Sequence, residues 1–358
     1  RQRQMCIRDS DMIGPAESIP SISGIASDDR AKVNNATLRN RGWELSVSWN
    51  DKLKCGFSYG VGFNVFNYKA VVTKYNNPEG IIYNNHTGLA ANKGYYEGMD
   101  IGEIWGYRAD DLFLSNREID DYLRNVNLTA FKSNDLWRRG DLKYIDSNGD
   151  GRVDGGKGTL ADHGDLQIIG NTTPKYSFGI NLNLGYKGFE VSTLLQGVAK
   201  RDFPISGSNY MFGGNNYNFK EHLDYFSTEN PNGYLPRLTG WKDDKDFLVN
   251  TGYNTTRYLL NAAYMRMKNL TVAYTFNKKQ LKHIGISNLK VYVTCDNLFT
   301  VTKLPKQFDP ETLNQVNMSA GGDAQNTAPG LTSPMKQNGN GMVYPMNRNF
   351  VFGLDFTF

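Results

Sequence analysis

Long segments in which apolar and small polar residues alternate without a break restrict this chain more than any other feature. In RGWELSVSW, Trp43, Leu45, Val47 and Trp49 share one side, and Gly42, Glu44, Ser46 and Ser48 hold the other. Past the turn NDK, Leu53, Cys55, Phe57, Tyr59, Val61, Phe63 and Val65 continue opposite Gly56, Ser58, Gly60, Gly62 and Asn64. YSFGINLNLGY repeats the pattern from Tyr176 to Tyr186, and a KG turn sends the chain back through FEVSTLLQG. KNLTVAYTF and LKVYVTCDN behave alike, and the chain closes on Phe350, Phe352, Leu354, Phe356 and Phe358 in one nearly all-aromatic row. A period of two sends successive side chains to opposite faces of a strand. With IGEIWGYRA counted, about eight to ten strands are expected.

Length and chemistry narrow the class further. Several runs exceed the ~5–6 residues of an ordinary globular strand and reach the ~9–11 that cross a bilayer at a tilt. The second face carries Gly, Ser, Asn and Thr rather than Lys and Glu, which suits a hydrated interior better than an open surface. Aromatics bracket the apolar runs, as at Trp43 and Trp49 or Tyr176 and Tyr186, the pattern a membrane interface selects. Short turns (50–53, 187–188, 277–287) alternate with long polar connections (68–100, 113–174, 200–262, 301–346). Unequal connections on the two ends are the layout of a transmembrane β-barrel. A secreted β-sandwich such as a carbohydrate-binding module is the alternative, and it calls for shorter strands and a more charged outer face.

Whole-chain quantities exclude little else. The 358 residues carry 40 Lys+Arg against 36 Asp+Glu, with no basic stripe, so a nucleic-acid partner is not expected. Mean hydropathy is −0.54, and no run of ~18 apolar residues marks a membrane helix. The opening RQRQMCIRDS matches nothing downstream and reads as translated sequencing adapter, so residues 1–10 are expected outside the fold and 11–358 within it. Cys55 and Cys295 are both expected on apolar faces of strands, as free thiols. The one amphipathic helical stretch is SNREIDDYLRNV, where Ser115 and Glu118 form a capping box.

The motif with the most specific chemistry is DSNGDGRVD. Asp146, Asn148 and Asp150 occupy positions 1, 3 and 5 of a calcium loop, Gly151 the tight turn, Arg152 a carbonyl position and Asp154 position 9. Position 12, where a bidentate Glu belongs, is Lys157, so Asp162 or Asp165 would have to fold back. The plainer reading is an Asx-rich turn without metal. His86, His163, His222 and His283 are scattered without ligand spacing, and the paired carboxylates are sequence neighbours that strands would point apart. No nucleophile elbow or phosphate loop occurs, and no enzyme is expected. Tyr210, Tyr217, Trp241 and Tyr253 stand among Asn and Gly in the 200–262 loop. They suit sugar rings or a protein partner, or the packing of the loop on itself.

Taken in order, NNATLRNRGWELSVSW, GDLKYIDSNGDGRVD, IGNTTPKYSFGINLNLGYKGFEVSTLLQG, AYMRMKNLTVAYTF, LKVYVTCDNLFTVTK and YPMNRNFVFGLDFTF resemble the carboxyl-terminal part of SusC/RagA-like TonB-dependent outer-membrane receptors. The resemblance covers nearly everything after residue ~30. It implies an all-β fold, the C-terminal part of a large antiparallel transmembrane barrel of roughly 22 strands, with plug domain and TonB box upstream. It further implies the outer membrane of a Gram-negative bacterium, and import of oligosaccharides or peptides powered by the TonB–ExbB–ExbD complex. A SusD-like lipoprotein would close over the extracellular loops, and the aromatic final strand would serve as an assembly signal. A passive barrel or surface glycan-binding protein is the competing function.

Overall fold

The structure is a computed structural model that describes residues 2–15, 32–82, 95–109, 111–205, 220–239, 246, 248–277, 281, 286–313 and 346–357. In chain order the first strands are β1 (Gln2–Pro15), β2 (Lys32–Lys52) and β3 (Ser58–Tyr75). Short strands β4 (Glu103–Gly106) and β5 (Asp111–Leu112), helix α1 (Asn116–Leu123), β6 (Leu142–Lys143) and β7 (Gln167–Asn171) follow. Two 12-residue strands come next, β8 (Lys175–Tyr186) and β9 (Phe189–Lys200), then β10 (Asp202–Pro204) and β11 (Leu259–Asn261). The last are β12 (Tyr264–Thr275), β13 (Asn288–Asp296), β14 (Thr300–Thr302) and β15 (Asn349–Thr357).

The long strands form one antiparallel sheet in the order β1-β2-β3-β8-β9-β12-β13-β15, with β14 also on β12. Sequential neighbours pair throughout, so this is a meander wall. Its register aligns the expected faces across strands. Trp49, Val61, Leu182, Thr193, Leu270, Cys295 and Phe350 lie in one row, and the next residue over gives Asn50, Gly60, Asn183, Ser192, Thr271, Thr294 and Val351. Since the side-chain period is two, a slip of one residue would exchange these rows completely. The apolar row is open: Trp49 is 64% exposed and Phe352 78%. A band of large exposed side chains on that scale needs an apolar neighbour, and in a barrel wall lipid supplies it.

Local chemistry sets the turns. Between β8 and β9, Lys187 and Gly188 take φ values of 46° and 90°. Two left-handed residues in a two-residue loop match the twist of the flanking strands. Between β2 and β3, Leu53 N donates to Phe57 O and Gly56 N to Leu53 O, with Gly56 at φ 86°. That turn corrects one sequence expectation. Leu53, Cys55 and Phe57 lie outside the strands, and Cys55 is exposed in the turn. Alternation continues through it in sequence, yet the backbone reverses there. Cys295 does lie on the apolar row.

A second correction concerns IGEIWGYRA. It gives only β4, which pairs with β7 in a two-stranded ribbon separate from the wall sheet. Alternation reports a half-buried strand but not which sheet it joins. Residues 2–10, set apart above, run within β1 and pair with β2 from Gln2↔Ser46 to Ser10↔Leu38.

The long connections all leave the same end of the wall and pack together. Their shared core includes Phe113, Leu128, Tyr144, Phe203, Tyr258 and Phe308, all buried. Helix α1 is capped as its sequence predicts: Ser115 Oγ accepts from Glu118 N at 3.1 Å, and Glu118 Oε2 accepts from Leu114 N at 2.9 Å. A packed cap thus stands on one end of a membrane-type wall.

Candidate functional site

Two surfaces in this fold can meet a solute: the small-residue face of the wall and the cap above it. On the wall, glycines let neighbours reach across. A Cβ at Gly60 would stand 2.2 Å from Asn50 Oδ1, and one at Gly353 only 2.1 Å from the Tyr292 ring. Hydroxyls and amides pair across strands, as Thr271 with Thr294 at 2.9 Å and Asn269 with Asp296 at 3.0 Å. Toward the turn end, Asn50, Ser58, Asn183, Ser192 and the Glu190–Lys290 pair (2.6 Å) line a hollow of about 740 Å³. This face offers many weak hydrogen bonds between short side chains, which suits transient contact with a polar solute or a polar protein surface.

In the cap, the 146–154 turn is held from three sides. Asp146 accepts from Gly149 N (2.6 Å) and Gly151 N (2.8 Å), one with each carboxylate oxygen. Asn148 Oδ1 accepts from Asp150 N, Asp150 Oδ1 from Arg152 N and Asp154 Oδ1 from Gly156 N, all within 2.9 Å. Val153, fully buried, anchors the turn, and Asn127 bridges Arg152 in a short parallel pairing.

Asp165 does fold back, accepting from Ser147 N at 2.6 Å and Asp154 N at 2.9 Å. Burial raises its carboxyl above the ordinary range, against the pull of those N–H groups. Asp162 instead faces Lys157 at 3.9 Å. The donor set therefore closes on its own backbone. Among the described residues, no three His, Cys, Asp or Glu side chains gather as a metal-holding group. These hydrogen bonds build an Asx-rich turn.

Of the loop aromatics, Tyr210, Tyr217 and Trp241 lie outside the described residues. Tyr253 is half-buried, edge-on to Tyr107 (5.9 Å) and Phe131 (5.3 Å). It serves the cap's core, and burial raises its phenol pKa.

Two ionic clusters escaped the sequence reading. In the first, buried Lys132 contacts Asp141 (2.7 Å) and Asp246 (2.5 Å), and Arg237 contacts the same two carboxylates. Asn250 joins by donating to Asp141 at 2.9 Å. This cluster locks the β3–β8 connection to the β9–β12 connection. The second, around Arg201, Arg266 and Lys268, ties the wall to residues 309–313. Its cations are over 40 residues from their partners in the strap, so spacing gives no signal. One hint existed: in YMRMKNL the face opposite Met265 and Met267 carries Arg and Lys where the other strands carry Gly, Asn or Thr.

An outward apolar belt, a small polar inner face and a cap of packed loops define the wall of a transmembrane β-barrel with long loops on one side. Three curated relatives of similar rank agree. The chain is 25% identical over 355 residues to TonB-dependent receptor P3 of Formosa agariphila, covering 98% of this chain and 31% of that one. It is 24% identical to receptor P26 (91% and 30%) and 24% identical to receptor P39 (95% and 32%) of the same organism. Among solved structures it superposes on a chain of the RagAB peptide transporter with a TM-score of 0.60, at 19% identity, over 98% of this chain and 32% of that one. The RagAB peptide importer in its open-open state gives 0.60 at 18% identity. No protein-family profile matches. The resemblance to SusC/RagA-like TonB-dependent receptors read from the sequence therefore holds, and the chain spans about a third of the length of the relatives it matches.

Proposed function

We propose that this chain is part of the barrel of a TonB-dependent importer in the outer membrane of a Gram-negative bacterium. The observation that carries the reading is similarity to TonB-dependent receptors over 98% of the chain, joined to a continuous lipid-type belt in the register of the wall. The solute is an oligosaccharide or peptide, with a SusD-like lipoprotein as lid partner and the TonB–ExbB–ExbD complex as energy source. A match to a transporter named for two components and for peptides supports the paired arrangement. Transport, rather than bond-breaking, is the role: a polar wall with dispersed hydrogen bonds can pass a solute on, whereas catalysis needs a converged acid, base or nucleophile.

The test is uptake by cells carrying the complete receptor gene, offered a panel of oligosaccharides and peptides with and without a protonophore. Uptake that disappears on gene deletion and on de-energisation is expected. Uptake that survives the protonophore would favour the passive barrel.

Weak structural calcium binding in the 146–154 turn is a second proposal. The 1-3-5-9 oxygen spacing favours it, as does Asp165 folded back onto the turn. Calcium titration of the reconstituted receptor against its Asp150→Ala form decides; equal, negligible binding in both removes the site.

A further inference from the structure

At the loop end of the inner face three cations stand together. Arg266, 4% exposed, lies on the inner face in register with Gln196 and Thr300. It bonds Thr300 Oγ1 at 2.7 Å and Asp309 Oδ2 at 2.9 Å. Lys268, from the same strand, reaches Glu311 Oε2 at 2.9 Å. Arg201, just past β9 and 8% exposed, donates to the carbonyls of Thr172 (3.1 Å), Pro310 (3.3 Å) and Leu313 (3.1 Å). Residues 309–313 thus lie across the cations as a strap. Phe308 pins it, ring edge against Phe203 at 5.5 Å, and Asp309 Oδ2 also accepts from Met346 N at 3.0 Å.

The strap satisfies these cations incompletely. Three positive groups meet two carboxylates, and among the described residues no ion pair is formed by Arg201. Arg266 Nη1 sits 3.2 Å from Glu311 Oε2 but is buried without a well-aligned hydrogen bond. Among the described residues, Glu311 Oε1 and both polar side-chain atoms of Gln307 are likewise buried without hydrogen-bond partners. Buried polar atoms left unmatched favour any competing state that matches them, and a buried cation lacking its counter-charge does so more strongly. Burial draws the Arg201 guanidinium below its ordinary pKa, as expected for a cation short of an anion.

We infer that Arg201, Arg266 and Lys268 form a seat for carboxylate groups of the imported solute, and that Asp309 and Glu311 are its tethered stand-in. The inference rests on the import reading and gives it a substrate class. The strap presents carboxylates to the Arg266 guanidinium and the Lys268 ammonium, which is the contact a uronic-acid sugar or an acidic peptide would make. A free ligand that also supplies an anion to Arg201 displaces the strap from the wall. The strap then sets a threshold, because apparent affinity falls with the fraction of receptor in which the seat is clear.

Isothermal titration of the full-length receptor in detergent tests this. The probes are tetragalacturonate and tetraglutamate, each beside its uncharged counterpart, the methyl-esterified sugar and tetraglutamine. At least one carboxylated probe should bind more tightly than its counterpart, and which one does so separates sugar from peptide. Removing the stand-in with Asp309→Asn plus Glu311→Gln should tighten that binding roughly tenfold. Lys268→Met should weaken it, with barrel integrity checked by heat-modifiable gel migration. If the double variant fails to assemble, Glu311→Gln alone should change affinity in the same direction. Equal binding of charged and uncharged probes, or affinity unmoved in an assembled strap variant, overturns the seat. Energy-dependent uptake of neutral solutes with no preference for the charged probes also overturns it while leaving the import reading standing. Charge-selective binding in cells that show no energy-dependent uptake would support the seat and sink that reading instead.

Discussion

The wall and the cap solve the burial problem in opposite ways. In the wall the largest side chains point outward, with Trp49, Phe189, Phe352 and Leu354 more than half exposed, and the small polar residues face inward. In the cap the order is that of a water-soluble protein, with Phe113, Leu128, Tyr144 and Tyr258 fully buried. The wall's stability comes from its solvent, since hydrocarbon accepts what water rejects, and its backbone groups are satisfied strand to strand. The cap has no such help. It must bury its own apolar surface and compensate the charges it buries, as the Lys132–Asp141–Arg237–Asp246 cluster does. One chain therefore carries two rules for where a phenylalanine belongs, divided at the membrane boundary.

The contrast is easiest to break inside the cap. Lys132→Met leaves Asp141 and Asp246 buried with one cation fewer, and losing one partner of a buried ionic group costs about 3–5 kcal/mol. Limited proteolysis should then cut the β3–β8 and β9–β12 connections together while the wall stays intact. Cleavage confined to one connection would mean that the two are not a single body.

On the wall, Leu182→Arg puts a charge on the lipid row, at about 2–4 kcal/mol near mid-bilayer. Its neighbour Asn181 points the other way, so Asn181→Arg should assemble far better. Reversed yields of folded barrel would invert the assignment of the two faces.

Acid should separate the regions too. Burial pushes the Asp246 carboxyl upward, but hydrogen bonds and charge from Lys132 and Arg237 outweigh it and hold the folded pKa below the ordinary 3.8. A depressed carboxylate contributes stability that is complete above its unfolded value and is lost as pH falls through the folded one. The cap should therefore keep its protease resistance at neutral and mildly acidic pH and begin to lose it below about 3.8. In Lys132→Met the Asp246 carboxyl loses part of what depresses it, so the cap should be less resistant at neutral pH and its further loss on acidification should be smaller. The smallest effect is expected at the helix cap: Ser115→Ala removes the acceptor for Glu118 N and should cost about 1 kcal/mol, seen as faster hydrogen exchange in α1 alone.

How much of this was legible in the chain differs between the regions for a physical reason. Wall strands read directly because a strand facing lipid on one side and a wet interior on the other repeats its chemistry every two residues. The same rule misplaced Cys55 and IGEIWGYRA, since alternation does not say where the backbone turns or which sheet a strand joins. The capping box at Ser115 and Glu118 and the KG turn were also legible, being local: their hydrogen bonds and φ values lie within a few residues. The 146–154 spacing showed a turn rich in Asx oxygens, and their bonds to backbone N–H groups two to five residues on are equally local.

The order of residues alone thus settled the two faces, the strand-and-turn rhythm and the likeness to TonB-dependent receptors. Only the folded arrangement decided which charges meet. Lys132 lies 114 positions from Asp246, and Arg201 lies 109 from Pro310, separations at which no periodicity survives. Short-range geometry is written in neighbouring residues, but long-range pairing exists only once strands of fixed register bring distant loops to the same end of the wall.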